Sequence, residues 1–460
     1  MVSIEEVSFG YGKEWGILKP ATLKIARGEC VLLCGTSGCG KTTVTKLING
    51  LIPHFYPDCP FKGKVTAAGM TIGDTELYEI AKHVGSVFQN PKSQFFNLDS
   101  DSELAFGLEN EGASREYIRQ RLDETVRDLE IHHLLGRGIF SMSGGEKQTL
   151  AFASVYAMNP DVYVLDEPTA NLDPEAIERL RMQLSALKAA GKTLLIAEHR
   201  LYFLTELIDR AVYIKDGRIL HSYSGEEFRS LTDSERKALG LRSLTDVSPA
   251  LPEANSGGSV QGLSVEGVTC AFGKEAPVFH DVSFSVLPGE VLGVTGQNGV
   301  GKTTLARCLC GLIKEKAGHV KLNGGALSQK QRQKTAFCVM QDVNHQLFSD
   351  SVWGECQMAA GESLDGRIEE VLERFNLLSY RESHPMALSG GQKQRLAILT
   401  ALLSGKELLV FDEPTSGLDY AQMRNVTDSV RKLAGEGKII IVISHDREFL
   451  ASACDRVLEL

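Results

Sequence analysis

The stretch Gly35-Thr-Ser-Gly-Cys-Gly-Lys-Thr-Thr43 decides the fold. It follows Cys30-Val-Leu-Leu-Cys34, an apolar run that reads as a buried strand, and leads into Val44-Thr-Lys-Leu-Ile-Asn49, which reads as a helix. A G-x-x-x-x-G-K-[ST] loop in that setting, a P-loop, is a phosphate cradle. Its glycines let backbone N–H groups converge on one anion, the lysine reaches the terminal phosphates, and the hydroxyl faces a Mg²⁺ ion. The candidate residues are Gly35, Thr36, Ser37, Gly38, Cys39, Gly40, Lys41, Thr42 and Thr43, with Lys41 on phosphate and Thr42 on the metal.

Outward from this loop the chain repeats itself. Gly296-Gln-Asn-Gly-Val-Gly-Lys-Thr-Thr304 is the same loop again, so Gly296, Gln297, Asn298, Gly299, Val300, Gly301, Lys302, Thr303 and Thr304 take the same roles, with Thr303 on the metal. Val7-Ser-Phe-Gly-Tyr11 matches Val268-Thr-Cys-Ala-Phe272, and Met142-Ser-Gly-Gly-Glu-Lys-Gln148 matches Leu388-Ser-Gly-Gly-Gln-Lys-Gln394. Leu165-Asp-Glu-Pro-Thr169 matches Phe411-Asp-Glu-Pro-Thr415, and His199 and His445 each lie 32 residues beyond the glutamate of that motif. The spacing from loop lysine to that glutamate differs, 126 residues against 111. Much of the surplus falls around 53–64, where His, Pro, Phe and Tyr crowd together. The halves are duplicated without being interchangeable.

Val162-Tyr-Val-Leu-Asp166-Glu167 and Leu408-Leu-Val-Phe-Asp412-Glu413 are apolar runs that deliver two carboxylates at the end of a buried strand. Open α/β sheets bind their ligands at that end. Alone, such a pair is usually solvated. Behind a P-loop in both copies, Asp166 and Asp412 read as Mg²⁺ ligands through water, and Glu167 and Glu413 as the bases that orient and deprotonate an attacking water. Ser143, Gly144 and Gly145, like Ser389, Gly390 and Gly391, open helical segments. Each turn therefore offers a second anion site, although a lone Ser-Gly-Gly is ordinarily only a helix cap.

With these motifs in this order, both halves, roughly 1–225 and 262–460, resemble the ATP-binding-cassette (ABC) ATPases. The resemblance implies an α/β fold with two P-loop NTPase domains in tandem, joined by a linker over 226–261. Each domain would have a mainly parallel sheet core, an antiparallel β subdomain and a helical subdomain. It also implies intramolecular, head-to-tail pairing of the cassettes, with each ATP and its Mg²⁺ held between the P-loop of one and the Ser-Gly-Gly turn of the other. One site would then join the loop 35–43, Gln89, Asp166, Glu167 and His199 to Ser389, Gly390 and Gly391. The other would join the loop 296–304, Gln341, Asp412, Glu413 and His445 to Ser143, Gly144 and Gly145. Gln89 and Gln341 match residues that reach Mg²⁺ or the attacking water, and His199 and His445 complete the catalytic sets. Tyr11 and Phe272 match the aromatic that stacks on adenine, although an aromatic near a strand end otherwise fills the core. Asp173 and Asp419 match the loop that passes between sites. The first signature departs from the family pattern: Met142 replaces leucine, Glu146 glutamine and Thr149 arginine. The last two bear on whether the sites turn over equally.

Composition agrees with a soluble globular chain able to bury a large core: 460 residues, 43% hydrophobic and 23% charged. A net charge of -10 speaks against a protein whose business is gripping nucleic acid. The longest apolar runs, such as 31–34 and 439–443, fall far short of the roughly 20 residues a membrane helix needs. The N-terminal residues show no basic region followed by an apolar core, so no signal peptide is expected. The ten cysteines form no C-x-x-C pair and read as reduced, buried residues of a cytosolic protein. Between the halves, 222–261 is rich in Ser, Gly and Pro, with four basic residues against six acidic. Its part 225–241 has helical spacing, which leaves 242–262 as the linker proper.

A finer resemblance follows from Asn90-Pro-Lys-Ser-Gln-Phe-Phe96 and Asp342-Val-Asn-His-Gln-Leu-Phe348, and from Leu51-Ile-Pro-His-Phe-Tyr-Pro57 and Glu198-His-Arg-Leu201. These look like the tandem ATPases of energy-coupling-factor (ECF) importers, a prokaryotic class that takes up vitamins and metal ions. That implies a peripheral protein on the cytoplasmic face of the membrane. Its partners would be an integral-membrane scaffold subunit and a substrate-binding membrane subunit, with no nucleic acid. A tandem ATPase for another importer, such as a sugar system, is the alternative. A soluble translation-factor ABC ATPase is a third reading, but its basic arm between cassettes does not match the acidic linker here. Phe95, Phe96, Leu347 and Phe348, beside Gln94 and Gln346, either fill the local core or line a groove for a helix of the scaffold.

Overall fold

The computed structural model describes residues 1–13, 15–170, 172–248, 261–273, 276–361 and 365–460. They form two compact units, Met1–Asp246 and Val247–Leu460.

In the first unit the apolar runs become the centre of a six-stranded sheet. Its order is Arg218–Ser224, Arg210–Lys215, Cys30–Gly35, Thr193–Ala197, Val162–Asp166 and Val84–Val87. Neighbours are parallel except for the hairpin of the first two strands. Cys30–Gly35, Val162–Asp166 and Thr193–Ala197 are buried at every position. Both faces of such strands are covered, so their sequences run apolar instead of alternating. Val2–Phe9 belongs to a four-stranded antiparallel sheet with Leu18–Ile25, Phe61–Ala67 and Met70–Thr71, and it buries Val2, Ile4, Val7 and Phe9. Ile4 and Val7 are an odd number of residues apart, which would place them on opposite faces. A register slip between them, with Glu6 at φ 48°, returns both to the buried side.

The second unit repeats the plan. Its parallel sheet runs Ala336–Val339, Leu408–Asp412, Ile439–Ile443, Val291–Thr295, Arg456–Glu459, and its antiparallel sheet Phe279–Val286, Leu263–Cys270, Ala317–Leu322, Gly325–Ala326. Each unit also has a helical part: Ser100–Asn110, Arg115–Asp128 and Gly144–Met158 in the first, Val352–Ala360, Asp365–Arg374 and Gly390–Leu403 in the second. The expected architecture of parallel core, antiparallel subdomain and helical subdomain is present twice.

The surplus of the first half forms the short helix Leu51–His54 and the approach to Phe61–Ala67. The His54 ring pins it, with Nδ1 2.8 Å from the Gly50 carbonyl oxygen and Nε2 3.0 Å from that of Thr75. The domain edge lies further along than the expected 225. Helices Gly225–Arg229 and Asp233–Ala238 open with reciprocal caps, Ser224 with Glu227 and Thr232 with Glu235. They carry Phe228, Leu241 and Leu244 into the first unit's core, so residues 226–246 belong to that unit. The rest of the expected linker, from 249 to 260, lies outside the described residues. Among the described residues no helix is long and apolar enough to cross a membrane. All ten cysteines are free thiols, buried except for the partly exposed Cys59 and Cys338.

Candidate functional site

The P-loop forms because only glycine fits its turning points. A Cβ on Gly35, at φ 145°, would sit 2.0 Å from the carbonyl oxygen of Ile214, and one on Gly296 would sit 2.6 Å from that of Leu460. Helix Lys41–Ile48 starts from Gly40 in the left-handed region and Lys302–Leu309 from Gly301, neither with a side-chain cap. The backbone donors at these two helix ends are thus left for a ligand. Lys41 is buried and its Nζ donates to the carbonyl oxygens of Gly35 and Thr36, both at 3.2 Å. Lys302 Nζ does the same to Gly296 and Gln297, both at 2.8 Å.

The neighbouring parallel strands bring the remaining residues to this loop. In the first unit Thr42 Oγ1 donates to Asp166 Oδ1 at 3.3 Å, and Gln89 Nε2 donates to Glu167 Oε2 at 2.6 Å. His199 Nε2 lies 3.1 Å from Lys41 Nζ and 3.5 Å from Glu167 Oε1. Lysine can only donate, so His199 accepts through Nε2 and is neutral. That agrees with burial, then Lys41 and Arg242, holding its pKa well below the usual histidine range. Burial pushes Asp166 up, opposed by the bond from Thr42. Glu167 is pushed up to about 8, by burial first and by the Glu198 carboxylate second. A carboxyl whose pKa lies near neutrality can, once ionised, take a proton from water.

The second unit brings Thr303 to Asp412 and His445 to Glu413. Burial raises Asp412, offset by a hydrogen bond from Thr303. Ser444 Oγ donates to Glu413 Oε2 at 3.2 Å, and the His445 N–H donates to Oε1 at 3.1 Å. Here the ring meets a different neighbour: His445 Nε2 lies 3.1 Å from Asn298 Oδ1, so it donates where His199 accepts. Glu167 and Glu413 both sit at positive φ, 48° and 49°. Their backbone N–H groups donate across the sheet, to Ala197 O at 2.8 Å and Ile443 O at 2.9 Å. The strained turn lifts each carboxylate out of the strand direction.

Tyr11 follows strand Val2–Phe9 and Phe272 follows Leu263–Cys270, with rings 36% and 47% exposed, as a stacking platform requires. Tyr11 has a companion that its motif did not reveal. Tyr56, from the surplus segment, packs edge-on against it at 5.3 Å, and Lys46 Nζ lies 5.5 Å from both ring centroids. The Ser-Gly-Gly turns cap their helices: Ser143 accepts from the Glu146 N–H and Ser389 from the Gln392 N–H, each reciprocated. Glu146 thus does the capping work of Gln392 and adds an ion pair to Arg137. The aromatic segments divide between surface and core. Phe96 and Phe348 are 75% and 78% exposed, whereas Leu347 is buried and Phe95 packs on the core. Gln94 and Gln346 face inward. Their Oε1 atoms accept from the N–H groups of Phe88 at 3.2 Å and Met340 at 3.0 Å, and their Nε2 atoms donate to the carbonyls of Ala151 and Cys338.

Fold and site together define a phosphate-binding NTPase unit, written twice. The chain belongs to the ABC transporter family, whose profile matches residues 18–170 and 279–416, and it is an ATP-binding ABC ATPase. A Treponema denticola protein named "Putative ABC transporter ATP-binding protein" is 45% identical over 467 residues, which span 100% of this chain and 95% of that protein. A Bacillus subtilis protein named "Putative HMP/thiamine import ATP-binding protein YkoD" is 32% identical, spanning 100% of this chain and 90% of its own length. Among solved structures, one titled "RNase-L Inhibitor" is similar with a TM-score of 0.66 over 99% of this chain and 87% of that one. At 20% identity this is a likeness of fold.

Proposed function

We propose that this protein hydrolyses ATP on the cytoplasmic face of the cell membrane to drive an ECF-type importer for a vitamin, metal ion or related micronutrient. The observation that carries this reading is the pair of aromatic side chains, Phe96 and Phe348, left in solvent directly behind Gln89 and Gln341 in both units. Exposed aromatics repeated at the same position in both units support a role as anchors for a partner helix. The import role in the name of the Bacillus relative supports the same class. The scaffold subunit would receive these anchors, and a second membrane subunit would capture the substrate.

At each site the loop N–H groups and Lys41 or Lys302 hold the β- and γ-phosphates, and Tyr11 or Phe272 supports adenine. Thr42, Asp166 and Gln89, with Thr303, Asp412 and Gln341, fit an oxygen-liganded Mg²⁺, which when bound neutralises phosphate charge. Glu167 and Glu413 take the proton of the water whose oxygen attacks the γ-phosphorus, and ADP leaves with the bridging oxygen. Under this reading the turns at Ser143 and Ser389 would complete these sites when the two cassettes pair, tying hydrolysis to motion of the anchors.

The test is Phe96→Ser with Phe348→Ser, co-expressed with an ECF-type scaffold subunit and a substrate-binding membrane subunit. Co-purification and substrate uptake should fall about tenfold or more, as loss of two anchor residues implies, while ATPase activity of the isolated chain stays within about threefold. Undiminished co-purification and uptake would sink the anchor assignment. Capture of ribosomes and no membrane protein would overturn the importer reading.

A further inference from the structure

The turn after each catalytic glutamate is tied to the histidine segment, and the two units make the tie from opposite flanks. In the first unit the residue before His199 is Glu198, only 3% exposed. Its Oε2 accepts from Thr169 Oγ1 at 2.7 Å and from the Thr169 N–H at 3.3 Å. Its Oε1 accepts from the N–H groups of His199 at 2.7 Å and Arg200 at 3.1 Å. In the second unit the residue before His445 is Ser444, and the carboxylate has moved to the far side of the histidine. Thr415 Oγ1 donates to Asp446 Oδ2 at 2.8 Å. Ser444, relieved of that task, donates to the catalytic Glu413.

The exchange has a second half. Arg200 stands where Asp446 stands, and its Nη1 reaches the carbonyl oxygens of Thr169 at 3.5 Å and Leu172 at 3.4 Å. A carboxylate has no hydrogen to offer those groups. In the first unit, therefore, both residues flanking the histidine hold the turn after Glu167, Glu198 as acceptor from Thr169 and Arg200 as donor to Thr169 and Leu172.

We propose that Glu198 and Arg200 are positioning residues of the first ATP site, which lock Thr169, Leu172 and His199 into one piece and so place the histidine against Glu167. They act through Thr169 and the His199 backbone. The same tie is made in the second site by Thr415 and Asp446, so the two arrangements are alternative solutions to one mechanical requirement. This inference rests on ATP hydrolysis by the cassettes and is independent of what the protein transports.

The arrangement of the second unit can be transplanted into the first. In a Glu413→Gln background, where residual turnover reports the first site, Glu198→Ser should lower kcat about tenfold with KM for ATP within about twofold, the size expected for a lost hydrogen bond to a buried charge. Thr169→Val should give a smaller loss, and combining it with Glu198→Ser should cost no more than Glu198→Ser alone, because the bond from the Thr169 hydroxyl is among the four that Glu198→Ser removes. Adding Arg200→Asp to Glu198→Ser recreates the Ser-His-Asp order and should return kcat to within about threefold of the background. A merely structural role predicts the reverse, that the second substitution deepens the first. The proposal is overturned if the transplanted pair is no faster than Glu198→Ser, or if the losses of Glu198→Ser and Thr169→Val multiply. Should Glu198→Ser alone fail to fold, Thr169→Val and the transplanted pair decide between the same outcomes.

Discussion

Replacing Glu167 by glutamine should make the protein more stable and less active at once, and the gain in stability should depend on pH. The Glu167 carboxyl is raised from its ordinary 4.5 to about 8, by burial first and then by Glu198. Between those two pH values the folded protein keeps a proton that the unfolded chain has released. Stability contributed by the protonated group is thus complete below pH 4.5 and is lost as pH rises to about 8, beyond which the loss levels off. At about 1.4 kcal/mol for each pH unit, the penalty is about 3 kcal/mol at pH 7 and about 5 kcal/mol above pH 8.5. Glutamine has the same shape, carries no charge, and keeps an acceptor for the Gln89 amide, so Glu167→Gln escapes the penalty. For a unit the size of Met1–Asp246, a gain of 1 kcal/mol moves the melting temperature by about 2–4 °C. Scanning calorimetry without nucleotide or Mg²⁺ should therefore show the first unit of the variant melting about 10 °C higher at pH 8.5 and almost unchanged at pH 5. Turnover at the first site should fall by about 10²–10⁴-fold, the contribution of a general base. A variant that melts no higher than the parent at pH 8.5, or higher by the same amount at every pH, refutes the account of Glu167 as a buried acid under electrostatic load.

Gly35→Ala should abolish binding of a fluorescent ATP analogue at the first site and lower the first unit's melting temperature, because its methyl would lie 2.0 Å from the Ile214 carbonyl oxygen. Tight nucleotide binding in a folded Gly35→Ala protein would contradict the geometry of the cradle. Glu146→Ala removes half of a capping box and an ion pair, so it should cost about 1 kcal/mol in denaturant unfolding. Glu146→Gln, which copies Gln392, should cost less than half of that, and equal losses would assign the effect to the Arg137 pair instead.

What the sequence disclosed was whatever chemistry restricts to few residue types. A loop that turns against a neighbouring carbonyl must be glycine, a buried cation folded back on its own loop's carbonyls follows from the motif's lysine, and a strand covered on both faces must run apolar, so Gly35, Lys41 and Val162–Asp166 were legible. The domain edge was less so. Phe228, Leu241 and Leu244 are spaced apolar residues in a polar stretch, and only their packing shows that they close the first core. Phe96 and Phe348 could have been core or surface by composition, since an aromatic next to a glutamine fits either. The inward glutamines Gln94 and Gln346 bond to backbone groups, a partner that side-chain patterns do not announce. The carboxylate exchange around the histidines was visible as Glu-His-Arg against Ser-His-Asp. Its meaning was hidden, because the threonine that both carboxylates serve lies about thirty residues earlier in the chain.

That exchange could not arise in an engine assembled from two copies of one cassette. There, any substitution beside the histidine enters both sites at once, and an intermediate with the carboxylate on neither flank is impaired twice. In a fused chain each cassette has its own codons, so Glu198 and Asp446 can answer the same need from different flanks. Covalent tandem organisation thus frees the two sites from the symmetry that a homodimer enforces, and lets one of them change its fastening while the other keeps the motor running.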